Sequence, residues 1–129
     1  MCDHDSSDFF SPSDISKSSD PDFLNKASAI HCLGWSRNKY APTQWQDEHG
    51  HPLISSAVEG WDPAGESGQS AAQCQILLDS LPDYTIRKRQ GVNKISMHSS
   101  GLVSMEDTVL NYAIIKTAII YQMNKKGLI

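Results

Sequence analysis

The residues best suited to chemistry stand together between Asp47 and His51, in the order Asp-Glu-His-Gly-His. Two imidazoles and two carboxylates within five residues could hold Zn²⁺ or another divalent ion. Asp47, His49 and His51 are the candidate ligands, and a metal-dependent hydrolase is the class of enzyme they would serve. The same residues contain a glycine and precede a proline, which is also typical of a solvated turn. The sequence leaves both interpretations open.

A second candidate site is basic. Arg87, Lys88, Arg89 and Lys94 are four of the eleven basic residues, and they lie in the segment 84–98, whose alternating pattern predicts a β-hairpin. A two-stranded ribbon of this kind can contact phosphates or enter the major groove, which would make the protein a nucleic-acid binder. Alternation places Arg87 and Arg89 on one side and Lys88 on the other. A charged edge strand that prevents aggregation would have the same pattern, so this alternative stays open.

The third candidate site is aromatic. Residues 34–66 contain all three tryptophans, among them Trp45 and Trp61, together with Tyr40. Tyrosine and tryptophan at a surface are strong interface anchors, so these three side chains are candidate contacts with a protein partner. The alternative is that they close the core beneath a long connection. Because long structureless loops are uncommon in compact domains, the connection has a purpose or contains a short strand such as 53–58.

Other catalytic patterns are not found in the sequence. Residues 99–101 lack the strand-turn-helix setting of a nucleophilic serine, and residues 65–68 lack the length and the lysine of a phosphate-binding loop. Cys32 and Cys74 fall on apolar helix faces and are expected to pack there. The sequence therefore favours a non-enzymatic interaction protein, with no cofactor expected.

Helical spacing predicts the elements that must position these candidates. Three helices are expected: from Asp20 to Leu33, from Ser67 or Ser70 to Ser80, and from Ser104, with Asp107 in a box-like cap, to Gly127. The last helix is apolar on most sides, so it is either central to the fold or part of an oligomer interface. On the second interpretation it favours a homodimer.

Charge is concentrated at the N-terminus. Residues 1–22 have a balance of −5, so residues 23–129 total +1 to give the overall −4. A nearly neutral domain has no field to gather nucleic acid, and a local patch would have to supply the attraction. Three cysteines without paired spacing fit a reducing, cytoplasmic location. No stretch approaches the ~18 apolar residues of a spanning helix, so no membrane partner is expected.

The first 19 residues form an acidic, serine-rich tail, and residues 20–129 are predicted to form a single domain. Residues 11–14 could start a short helical turn. The apolar side chains at 9–10 and Ile15 could dock the tail on its own domain or on a partner.

Together these elements predict an α+β fold, with a small antiparallel sheet packed between or against two to three helices as an α-β-α sandwich. Four motifs follow in a characteristic order: Gly34-Trp35 after the first helix, Trp45 and Asp47 before Gly50, Trp61-Asp62-Pro63 before the second helix, and Glu106-Asp107 before Ala113-Ile114 and Ala118-Ile119. Over residues 23–124 the chain thereby resembles the phage ABA sandwich domain family, small proteins of phages and other mobile elements. The resemblance implies this fold and a mobile-element origin, without an established activity.

Overall fold

The computed structural model of the protein describes residues 11–97 and 103–127. Within them the helices are α1 (Pro12–Lys17), α2 (Pro21–Cys32), α3 (Ser55–Gly60), α4 (Gly68–Asp79) and α5 (Leu110–Lys125). The strands are β1 (Ser36–Asn38), β2 (Ala41–Gln46), β3 (Thr85–Arg89), β4 (Val92–Met97) and β5 (Val103–Asp107). Strands β1 and β2 form one antiparallel sheet, and a second has the order β3-β4-β5. This confirms the predicted α+β class.

Each of the first two helices is preceded by a residue whose side chain caps it. The Ser11 hydroxyl accepts the Asp14 backbone N–H at 3.1 Å, and the Asp14 carboxylate accepts the Ser11 N–H in return, so the predicted helical turn at 11–14 is confirmed. Asp20 caps α2 as its sequence predicts. Ile15 on α1 is fully buried in the main core, whereas residues 9–10 lie outside the described residues.

Helix α5 is the centre of the fold. Every residue from Ala113 to Tyr121 is buried, and α2, α4, β4, β5 and α1 all pack against this helix. Its wide apolar surface is therefore covered by the chain itself, as the central-helix alternative predicts. The homodimer through this helix stays a prediction, which native mass spectrometry on untagged protein tests.

The start of the last helix differs from the prediction. Ser104 does not open it: Val103–Asp107 pairs with β4 as an antiparallel strand, and the helix begins at Leu110. The Asp107 carboxylate accepts the backbone N–H of Val109 at 2.9 Å and the buried Lys116 ammonium at 2.6 Å. The cap-like pattern fails here because pairing with β4 satisfies the backbone of this segment.

The predicted strand at 53–58 is also wrong. Residues 55–58 of it belong to the short helix α3, and the strands of this region are β1 and β2. The Leu53 N–H pairs with the Trp45 carbonyl at 2.8 Å, but the next donors, from Ala57 and Val58, return to the carbonyl of Ile54. Among the described residues the pairing with β2 ends at Leu53, and the local bonds of α3 satisfy the backbone from there on.

The three-stranded sheet covers one side of α5. Ile95 and Met97 on β4 are fully buried, whereas every residue of β3 is exposed. Gln90 and Gly91 make the tight turn of the β3–β4 hairpin with φ angles of 54° and 80°. The predicted hairpin is therefore confirmed, with β3 as its open edge.

Candidate functional site

A groove with a volume of about 550 Å³ lies between α2 and the segment from β1 to the residues after α3. We call it the aromatic groove because all three tryptophans line it. Its residues are Asp22, Asn25, Lys26, Ala29, Trp35, Arg37, Trp45, Val58, Glu59, Trp61 and Asp62. The predicted contacts Trp45 and Trp61 therefore line one groove. Trp35, which lies between α2 and β1 in the sequence, lines it as well.

Trp61 is anchored to the body of the protein. Its indole Nε1–H donates to the Ser28 hydroxyl at 2.9 Å, and Ser28 is itself fully buried on α2. The ring packs against the main core and lies 6.3 Å from the Trp35 ring, centroid to centroid, at an angle of 56°. Trp61 therefore closes the core, as one alternative predicts, while it also forms a wall of the groove.

Trp45 has a different environment. It is half-buried on β2 and faces Arg37, its partner in the register of β1 and β2. The guanidinium carbon of Arg37 lies 5.1 Å from the centre of the indole, a distance at which the ring attracts a cation. Trp45 thus presents an aromatic surface that already holds a guanidinium.

Tyr40 is not part of this arrangement. It lies at the turn between β1 and β2, where its side chain is 86% exposed and does not line the groove. The Lys39 ammonium lies 5.2 Å from its ring centre. The structure therefore separates Tyr40 from the two tryptophans with which the sequence groups it.

Polar side chains on the helices bind the segment around Asp62, which lines the groove. Asn25 donates to the Asp62 carboxylate at 2.6 Å and accepts the Ala64 backbone N–H at 2.9 Å. Gln73 on α4 accepts the Asp62 N–H and donates to the Gly60 carbonyl at 2.6 Å. Sequence reasoning missed these residues. The sequence shows only an amide residue on each helix. The structure shows that Asn25 is half-buried and Gln73 buried, so each needs a partner from elsewhere in the chain.

The charges around the groove are mixed. Three carboxylates, those of Asp22, Glu59 and Asp62, line it with two cations, Lys26 and Arg37, which leaves one negative charge in excess. Carboxylates beside half-exposed indole rings form a surface that attracts a basic side chain.

The Asp47–His51 cluster forms a turn. One Asp47 carboxylate oxygen accepts the backbone N–H groups of His49 and His51, both at 2.9 Å. These bonds, the one from His51 first, hold the pKa of Asp47 below its usual value. Both imidazoles are mostly exposed, and their centres are 6.2 Å apart. Within residues 11–97 and 103–127 no three His, Cys, Asp or Glu side chains are grouped to hold a metal ion. The metal site stays a prediction.

The two described cysteines have the character of packing residues. Burial raises the pKa of Cys32 to about 12 and that of Cys74 to about 11. The Cys74 thiol donates to the Pro63 carbonyl at 3.2 Å. Both side chains are therefore held as thiols at neutral pH.

The basic residues of the hairpin line a second groove, of about 640 Å³. The register pairs Arg87 with Lys94, and Lys94 with Glu106, so these three side chains share one face of the sheet. Arg89 lies two residues from Arg87 on the same face, and Lys88 points to the other, as alternation predicts.

Comparison with known proteins finds no family model, no curated protein and no solved structure that matches this chain. The resemblance to the phage ABA sandwich domain family therefore stays an expectation that rests on the sequence motifs of this chain. In the described part of the chain, no helix has the length and apolar character needed to cross a membrane.

Proposed function

We propose that the protein is a non-enzymatic binding protein, of phage or other mobile-element origin, whose aromatic groove takes a basic segment of a protein partner. The observation that carries the proposal is the Arg37 guanidinium over the Trp45 ring, 5.1 Å from its centre. This contact within the chain illustrates how the groove would recognise a partner, because an arginine or lysine of the partner would meet the same kind of aromatic surface. The origin is supported by the resemblance of the sequence motifs alone.

The groove also has the composition of an interface. Its three tryptophans belong to the residue type most enriched among strong contacts, and all three are half-buried, which leaves part of each ring for a partner. The negative charge in excess favours a basic partner over an acidic one. Its volume of about 550 Å³ is within the range of ligand pockets, roughly 300–1,000 Å³.

Indole fluorescence tests the proposal with two short peptides, acetyl-Gly-Arg-Gly-amide and acetyl-Gly-Glu-Gly-amide. We expect a saturable change with the arginine peptide and none with the glutamate peptide. Trp45→Ala should lose the response, because it removes the ring that faces the cation. Tyr84→Ala, an exposed aromatic residue outside the groove, is the matched control and should retain it. Equal responses to both peptides, or a full response in Trp45→Ala, would refute the proposal.

A further inference from the structure

The outer face of the β3-β4-β5 sheet concentrates positive charge. Arg87 and Lys94 are exposed there as register partners, and Arg89 is exposed two positions along β3. Lys88, which alternation places on the other face, also lines the groove of about 640 Å³. Among the described residues that line this groove, Glu106 is the one carboxylate. We call the cluster of Arg87, Arg89 and Lys94 the basic face.

We infer that the basic face binds the phosphate backbone of duplex nucleic acid. Alternate side chains on a strand are about 6.8 Å apart, so Arg87 and Arg89 can reach successive phosphates, and Lys94 lies beside Arg87 across the hairpin. Guanidinium groups bind phosphates through paired hydrogen bonds, which a lysine-only patch could not form.

Two features select a duplex over other polyanions. Single strands are held by aromatic side chains on which bases stack, and the described part of this face offers none: its other residues there are Thr85, Val92, Ser96, Ser104 and Glu106. The hairpin is also exposed along the whole of β3, and a two-stranded ribbon of this shape fits the major groove. The inferred contacts are to phosphates, so we expect little sequence preference.

The charge of the whole chain, −4, opposes this binding, so the local contacts must dominate it. Three phosphate contacts predict a slope of about −2.7 in the logarithm of affinity against the logarithm of salt. The affinity should therefore fall roughly 40-fold between about 50 and 200 mM monovalent salt.

Fluorescence anisotropy of the full chain with a labelled, mixed-sequence DNA duplex tests the inference across this salt range. The triple variant Arg87→Gln, Arg89→Gln, Lys94→Gln should lose binding. The matched control, Lys17→Gln, Lys39→Gln, Lys125→Gln, has the same net charge from exposed positions elsewhere and should lose much less. Glu106→Gln removes the opposing carboxylate without touching a cation, so it should tighten binding several-fold and keeps the test decisive if the triple variant fails to fold.

Several outcomes would overturn the inference. They are no binding at about 50 mM salt, equal losses in the two triple variants, no gain in Glu106→Gln, and tighter binding to a single-stranded oligonucleotide or to polyglutamate. Trp45→Ala should bind the duplex normally. The basic face and the proposed peptide site can therefore fail independently.

Discussion

At the residue scale, Trp45 and Trp61 line the same groove but make different contacts. Trp61 packs on the core and donates to Ser28, whereas Trp45 is outside the core cluster and contacts Arg37. Trp61→Ala should therefore cost about 2–4 kcal/mol in the free energy of unfolding, and Trp45→Ala about 1 kcal/mol or less. Urea unfolding measures both. A large loss for Trp45→Ala would assign that ring to packing and weaken its proposed role as a contact.

His31 makes stability depend on pH. Burial, and secondly the Lys126 ammonium, lower its pKa, so the fold favours the neutral imidazole. Above about pH 6.5 the residue is neutral in both folded and unfolded chains, and this contribution to stability is complete. As the pH falls below that value the unfolded chain binds the proton first, and stability is lost until the lowered pKa of the folded state is reached.

The variant His31→Gln should therefore lose less stability than the natural chain between about pH 7 and pH 5. Urea unfolding at the two pH values measures the difference for each protein. An equal loss in both would show that other groups cause the acid sensitivity.

At the element scale, Gly34 lies between α2 and β1. Its backbone has the left-handed conformation, and its surroundings leave no room for a side chain. Its φ is 77°, and a Cβ there would lie 2.8 Å from Cβ of Glu48. Gly50 has a similar φ of 82° but open space around it. Gly50→Ala should cost about 1–2 kcal/mol, the general penalty of this conformation, and Gly34→Ala should cost more. Equal losses in urea unfolding would contradict the crowding.

The Lys116–Asp107 pair fastens β5 to α5. The Lys116 side chain is 3% exposed, and its ammonium bonds to Asp107 at 2.6 Å and to the Ser16 carbonyl at 3.0 Å. Asp107→Asn leaves that buried charge without its counter-ion and should cost about 3–5 kcal/mol. Adding Lys116→Met should recover part of the loss. The neighbouring exposed change Glu106→Gln should cost less than about 0.5 kcal/mol, and a similar cost for both carboxylates would refute the argument.

The elements that the sequence predicts correctly contain residues that mark where the element begins or turns. Asp20 caps α2, Ser67 caps α4, and Gly91 turns the hairpin. The two wrong predictions depend on whether a distant strand lies beside the segment. Residues 103–107 are a strand because β4 pairs with them, whereas 55–58 are bonded locally in α3. Local pattern contains no information about such a partner.

The same limit applies to the groove. Clustered tryptophans mark one wall from sequence alone, and Trp45 and Trp61 do line it. The opposite wall is α2, through Asp22, Asn25 and Lys26, and only the packing of the connection on that helix brings them there. Tyr40 shows the converse, since it is close to Trp45 in the sequence but lies outside the groove in the structure.

At the scale of the whole molecule, the net charge of −4 conceals a separation of charge. The aromatic groove has one negative charge in excess, whereas four cations and one carboxylate line the groove on the sheet. Total charge therefore excludes neither a basic nor an acidic partner, because each would meet a local surface.

At the same scale, the described end of the N-terminal segment packs on the rest of the protein. Helix α1 lies within the acidic segment 1–19, yet Ile15 is fully buried in the main core, and the Ser16 carbonyl accepts the Lys116 ammonium. Ile15→Ala should cost about 2–5 kcal/mol, as in any core, and the unfolding transition should stay single because α1 packs on the central helix. Ile54→Ala, the same change at a side chain that is 71% exposed, should cost less than about 0.5 kcal/mol. Equal, small losses would mean that α1 adds nothing to the fold and that the folded domain begins at Asp20.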